Sequence, residues 1–214
     1  TLPFSVGPLL PMAVNKLLQA LPGVQVTVVD GTYDVLIHRL RDAEIDLIVG
    51  ALRPDFAIQG LMQETLFVDG LAVVVRAGHP LAVHPTLSWQ QLADAQWIMP
   101  MPQTPAQAVF EQALASAGLP LPVAQLRVNS ALMMQSLLMQ SDRLAMMSPR
   151  QIQSEIQAGL LVVLPLAMPQ DVRSIGLIRR SGLLLTPAMQ TLLEACRLVA
   201  TQLTRENPVN KPNA

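Results

Sequence analysis

The residues in this chain that could do chemistry are hydroxyls placed directly ahead of helix-forming runs. Thr104-Pro105-Ala106-Gln107 and Ser148-Pro149-Arg150-Gln151 each combine a hydroxyl cap, Pro at the first helical position and Gln three residues after the cap. That is the spacing of a capping box with a strong start signal. Ser88-Trp89-Gln90-Gln91 has the same spacing without Pro, and Thr32, Ser130 and Thr186 precede helical runs singly. Each hydroxyl can accept a first-turn N–H bond, worth about 1 kcal/mol, in any protein. The same helix ends also expose N–H groups and the positive end of the helix dipole, which favour a carboxylate or a similar anion. The chemistry on offer is therefore non-covalent capture of an anion.

Covalent and metal chemistry find less support. His38, His79 and His84 lack metal-ligand spacing such as H-E-x-x-H. His79 fits a turn and His38 an exposed helix face. There is no G-x-S-x-G elbow, phosphate loop or dinucleotide fingerprint. Cys196 lies at helical spacing with Leu192, Leu193 and Val199, which reads as a small buried hydrophobe. Asp46 sits within an apolar strand pattern and reads as a structural hydrogen-bond partner. Arg39, Arg41, Arg143 and Arg150 have no evident partners in the sequence. No catalytic set, metal or cofactor is expected.

The elements that must position these residues alternate between short strands and amphipathic helices. Leu10, Ala13, Val14, Leu17, Leu18 and Leu21 fall on one face of a helix over 8–21, closed by Pro22-Gly23. The alternating Val24-Gln25-Val26-Thr27-Val28-Val29 predicts a strand. A helix after Thr32 turns Tyr33, Leu36, Ile37 and Leu40 to the core. Strands are expected over 45–50, 61–67, 97–99, 125–128, 144–147, 160–164 and 172–179. The helices between them follow Ser88, Thr104, Ser130, Ser148 and Thr186. Strand–helix–strand order with short links implies parallel sheets. The continuous apolar run Leu71 to Val75 suits a strand buried on both faces, stopped by Gly78 and Pro80. It marks the crossover from one α/β lobe to another, and Pro165 to Pro169 marks the return. The expected organisation is 1–72 plus 171–204 for the first lobe, 73–170 for the second, and a loose tail over 205–214.

Composition agrees with a folded chain. The 214 residues are 51% apolar and 14% charged, enough for a sizeable core. A net charge of −1 argues against a nucleic-acid-binding surface on this segment itself. One cysteine excludes an internal disulfide and fits a reducing compartment. No apolar run is long enough to span a membrane, and no signal-peptide pattern opens the chain. The chain opens at Thr1 rather than Met, so a longer parent is expected.

Several stretches, taken in order, resemble the effector-binding domain of LysR-type transcriptional regulators: Leu40-Arg41-Asp42-Ala43-Glu44-Ile45-Asp46-Leu47, Leu66-Phe67-Val68-Asp69, His79-Pro80-Leu81-Ala82, Trp97-Ile98-Met99-Pro100 and Ser130-Ala131-Leu132. The resemblance covers nearly the whole chain. It implies an α/β fold of two Rossmann-like lobes joined by a two-stranded hinge, like type II periplasmic binding proteins. It also implies a small-molecule effector between the lobes that allosterically controls DNA binding. A helix-turn-helix preceding Thr1 would contact DNA. A homodimer would form through the first helix and the strand 24–29, with a tetramer in the full-length parent, cytoplasmic and not membrane-bound. One departure is that only a stub of first strand precedes Leu9-Leu10-Pro11, so upstream residues are expected to supply it.

In an open α/β sheet, ligands sit beyond the C-terminal strand ends. The loops Phe4-Ser5, Gly31-Thr32, Gln103-Thr104-Pro105 and Asn129-Ser130 qualify. The resemblance carries effector contact onto Ser5, Thr32, Gln103, Thr104 and Ser130, and Phe4 joins them as a candidate from its loop. Met101 and Met147 are added as adaptable apolar lining, and core filling is expected for at least two of Met101, Met146 and Met147. Anion-favouring helix ends and apolar methionines point to a small organic acid. Two other readings stay open: a solute-binding protein of the same fold with a secretory signal upstream, and an α/β enzyme such as a deaminase or dehydratase.

Overall fold

The computed structural model describes residues 1–2, 7–53, 59–168, 173–182 and 184–206. The candidates Phe4 and Ser5 lie outside the described residues. The chain packs as two compact units, one of Thr1–Asp69 with Arg173–Ala214 and the other Gly70–Val172.

The first unit opens with α1 (Leu9–Ala20), whose buried residues Leu9, Ala13 and Leu17 repeat at one-turn spacing. Pro11 is tolerated because first-turn N–H groups have no intrahelical partner. In α2 (Tyr33–Arg41) Tyr33, Leu36, Ile37 and Leu40 are buried, the predicted face. β1 (Ile48–Ala51) and β2 (Leu61–Asp69) flank β7 (Arg173–Arg180) in the order β1-β7-β2. Both pairings are antiparallel. This corrects the parallel sheet expected for the unit: β7 returns from a hundred residues downstream and inserts between two strands that are near neighbours in sequence. Gly176 makes the insertion possible, because a Cβ there would meet the Glu64 carbonyl oxygen at 2.1 Å. α6 (Pro187–Glu206) packs on α1 and β2, with Leu193, Cys196, Val199 and Ala200 buried against Leu9, Ala13 and Ile175. α6 runs through Arg205 and Glu206, into the stretch expected to be tail; 207–214 lie outside the described residues.

Two further expectations for this unit change. Among the described residues, 24–29 form no strand ladder; the Thr1 nitrogen donates to the Val29 carbonyl, and the Gly31 N–H donates to the Thr1 carbonyl. Asp46 precedes β1 rather than lying within it. Its side chain is 74% exposed, 3.7 Å from Arg180.

The second unit orders its sheet β4-β5-β3-β6. β3 (Ala72–Arg76) is central, and its residues 72–75 are buried on both faces, as the continuous apolar run requires. β5 (Leu144–Met147) and β6 (Leu161–Val163) pair antiparallel to it, and β4 (Trp97–Ile98) pairs parallel to β5. The stretch expected as a strand over 125–128 contributes a single parallel bridge, Met99 with Arg127. One face carries a core of Val73, Val75, Leu144 and Met146 beneath an aromatic cluster. In that cluster the Trp97 and Phe110 ring centroids are 4.7 Å apart and edge-to-face, and Trp89 stacks at 6.2 Å on Trp97. α3 (Pro105–Ser116) supplies Phe110, while α4 (Ala131–Met139) packs on β3 and β5. α5 (Gln153–Gln157) follows a 3-10 turn over Pro149–Ile152.

Candidate functional site

The register places most of the predicted second-unit residues at one edge of its sheet. β4 and β5 run in parallel, so the loops leaving them, 99–104 and Ser148, emerge on the same side. Met99 donates to the Leu126 carbonyl at 2.9 Å, which sets 126–128 alongside β4 and brings Asn129-Ser130 to that edge. Ala72 pairs with Met147, so β3 begins there as well. The Arg127 guanidinium donates to the Pro100 carbonyl and ties the two helix-entry loops together. The N-termini of α3 and α4 thus share one sheet edge.

The hydrogen bonds distinguish the two ends. Thr104 Oγ accepts from the Gln107 N–H at 3.3 Å and donates to the Met101 carbonyl at 2.7 Å, so its one donor hydrogen is spent. Gln107 does not complete a capping box; its amide donates to Glu111 instead. Pro105 has no N–H to offer, so Ala106 alone keeps a free first-turn donor. Gln103, in the left-handed region at φ 58°, turns the loop and is exposed. At α4 the Ser130 Oγ accepts from Met133 at 3.3 Å. Ser130 is exposed, its O–H is directed to no described acceptor, and the N–H groups of Ala131 and Leu132 are unspent. The α4 end is the stronger anion donor of the two. Met101 is half-buried, whereas Met147 is 2% exposed and Met146 belongs to the aromatic core. Ser148 is fully buried; its Oγ accepts from Arg150 at 3.2 Å, and it holds a capping box with Gln151.

In the first unit Thr32 occupies the N-cap position of α2 with extended backbone, yet its hydroxyl makes no cap bond. It is exposed, next to buried Tyr33. The Arg53 guanidinium lies over the Tyr33 ring, 4.0 Å from its centroid. Burial pushes the Tyr33 phenol up, and Arg53 opposes that. Sequence reasoning missed Arg53 because a loop arginine stacked on a ring leaves no periodic signal.

Several other ionisable groups are held within the fold. Asp69 and Arg173, register partners in β2 and β7, form a pair at 2.9 Å with side chains 6% and 5% exposed. The buried His79 ring accepts from the Leu81 N–H at 3.0 Å and faces the Asp142 carbonyl at 3.2 Å. That pattern requires the proton on Nε2. Arg39, read as partnerless, holds Glu44 at 3.0 Å. Cys196 is buried, and desolvation raises its thiol to about 11. Among the described residues no group of His, Cys, Asp and Glu could hold a metal ion, and no helix is long and apolar enough to cross a membrane.

Known proteins match this chain along its length. The family model described as LysR substrate binding domain matches residues 2–200. The HTH-type transcriptional regulator GalR of Pseudomonas putida is 35% identical over 201 residues, which are 94% of this chain and 50% of that protein. PcaQ of Agrobacterium fabrum, also an HTH-type transcriptional regulator, is 29% identical over 91% of this chain and 63% of its own length. The chain thus spans between half and two thirds of these relatives. Among solved structures, the CcmR regulatory domain of Synechocystis PCC6803 in complex with 2-PG superposes with a TM-score of 0.78 at 19% identity, covering 94% of this chain and 96% of that one. The effector-binding domain of QuiR in complex with shikimate has a TM-score of 0.74 at 18% identity, covering 94% and 95%. Identities this low establish the shared fold alone.

Proposed function

The chain belongs to the LysR substrate-binding domain family, and on that footing we propose that it is the effector-sensing part of a DNA-binding transcriptional regulator. The observation that carries the site is the sharing of one sheet edge by the N-termini of α3 and α4. A small organic acid is the ligand this edge suits. Its carboxylate is held by the Ser130 hydroxyl and the first-turn N–H groups of α4, with Ala106 N–H of α3 as a further donor. Gln103 is the exposed side chain within reach of the same edge, and Met101 supplies apolar contact. Thr104 acts by shaping its loop, and Met147 by filling the core beneath. In the first unit, the free hydroxyl of Thr32 and the Arg53 cation are the polar groups proposed to meet the effector. Relatives named as transcriptional regulators and neighbours solved with 2-PG and shikimate support the reading.

The effector would act by binding one conformation more tightly and shifting the population toward it. Contact with DNA would fall to a helix-turn-helix outside these residues. A homodimer through α1 and 24–29, a tetramer in the longer protein, and a cytoplasmic location complete the proposal. The test is thermal unfolding of the purified chain against a panel of small carboxylates, sulfonates and neutral sugars. A ligand at 100 times its Kd adds about 2.7 kcal/mol of stability. The proposal expects a carboxylate to do so, with Ser130→Ala weakening the effect more than Thr104→Ala. A rise with sugars alone would exclude an acid effector.

A further inference from the structure

The edge shared by the N-termini of α3 and α4 offers partial charges and a hydroxyl. A full cation stands there as well. Arg127 is exposed and lies in the stretch alongside β4, where it forms a parallel bridge with Met99. Side chains of paired residues in neighbouring strands leave on the same face, and Met99 belongs to the core that Phe110 of α3 covers. Arg127 therefore projects on the α3 side, and its guanidinium donates to the Pro100 carbonyl. That bond holds the cation against the loop entering α3 before any ligand arrives.

Most of this guanidinium is unused. A guanidinium carries five N–H donors. Here Pro100 is the acceptor, and among the described residues Arg127 has no ion pair and no other hydrogen bond. The described acids of the second unit are placed elsewhere. Asp94 and Asp142 precede β4 and β5, at the opposite end of those strands, and Asp142 pairs with Arg76 at 2.6 Å. Glu111 accepts from the Gln107 side chain, and Glu155 lies in α5 against β6. A guanidinium fork left open matches the two oxygens of a carboxylate. The Ser130 hydroxyl and the first-turn N–H groups of α4 form a separate donor set on a different loop. A ligand with one carboxylate engages one set and leaves the other to water.

We propose that the effector is a dicarboxylate and that Arg127 determines this specificity, taking one carboxylate while the α4 N-terminus holds the other. The inference rests on the effector site at this edge and narrows its ligand from an organic acid to a diacid. Arg127 suits the part because the Pro100 bond already fixes its orientation, so less rotamer freedom is lost when the ligand binds. A lysine in its place would supply the charge without the fork.

The experiment reads affinities from thermal unfolding of the purified chain with matched acids, at neutral pH and constant ionic strength. Benzoate is set against phthalate, isophthalate and terephthalate, and butyrate against succinate and glutarate. In the unsubstituted chain at least one diacid should bind about tenfold or more tighter than its matched monoacid, the gain expected of hydrogen bonds to a charged group. Arg127→Gln keeps a donor for Pro100 and removes the charge, and should bring that ratio back toward one. Arg127→Lys should restore part of it. A role confined to holding the loop predicts instead an unchanged ratio in Arg127→Gln, and that result overturns the proposal. So does equal binding of monoacids and diacids by the unsubstituted chain, a comparison that needs no variant to fold and that leaves the effector reading intact. No stabilisation by any of these acids overturns both.

Discussion

The two units place similar residues ahead of their helices and use them differently. Thr104, Ser130 and Ser148 in the second unit each turn a hydroxyl onto a first-turn N–H. Thr32 in the first holds the same N-cap position and makes no such bond. Their deep cores differ as well. The second unit is centred on packed rings, Trp89, Trp97 and Phe110. The first buries an ion pair, Asp69 with Arg173, where β2 meets β7. A hydroxyl before a helix is thus a capacity, and whether it becomes a cap or a free donor depends on where the chain enters the helix. A buried core can likewise be held by dispersion or by charge, and the two respond differently to substitution.

That contrast is sharpest in the cores. Asp69→Ala leaves the Arg173 cation buried without its carboxylate and should cost about 3–5 kcal/mol. Phe110→Ala should cost a similar 3–5 kcal/mol through lost packing and a cavity. The double change Asp69→Leu with Arg173→Met should recover most of the first loss, since a buried pair can be replaced by apolar side chains of similar volume. Denaturant midpoints for the four proteins decide the matter; a double variant as unstable as Asp69→Ala would show that the pair contributes more than mutual neutralisation.

Caps come next in size. Thr104→Ala should lower stability by about 1 kcal/mol, whereas Thr32→Ala should cost no more than a few tenths, because no cap bond is lost. Equal losses at the two sites would erase the distinction drawn between the units.

A smaller effect is expected at the surface. Glu64 and Arg197 pair at 2.6 Å with side chains 33% and 48% exposed. The hydrogen bond from Arg197 holds the Glu64 carboxyl below its ordinary value of 4.5. Its stabilisation is therefore fully present above that value and is lost as pH falls through the lower folded-state pKa. Glu64→Gln should cost about 0.2–1 kcal/mol at pH 7, and the deficit should close on acidification. A deficit that widened in acid would reverse the assigned sign.

The smallest response is a non-event. Cys196 is buried and its thiol is raised to about 11, so iodoacetamide should leave the folded chain unmodified at pH 7 and label it only after unfolding. Rapid labelling of the native chain, monitored by mass, would contradict this.

The sequence by itself determined what depends on near neighbours. The helical faces of 9–20 and 33–41, the doubly buried strand at Leu71–Val75, and the caps at Thr104, Ser130 and Ser148 follow from periodicity and spacing, because their causes lie within a few residues. The ordered motifs also carried the family resemblance that residues 2–200 bear out. Tertiary structure decided what depends on residues far apart along the chain. β7 enters between β1 and β2 and turns an expected parallel sheet antiparallel. The Asp69–Arg173 pair spans 104 positions, and Arg53 finds the Tyr33 ring from a loop. The alternation of 24–29 predicts a strand, but a strand also needs a partner, and among the described residues the segment forms no ladder, its Val29 carbonyl accepting from the Thr1 nitrogen. Local propensity sets the conformations a segment can adopt; pairing and ion contact depend on which distant segment closes against it, and that choice is made by the fold as a whole.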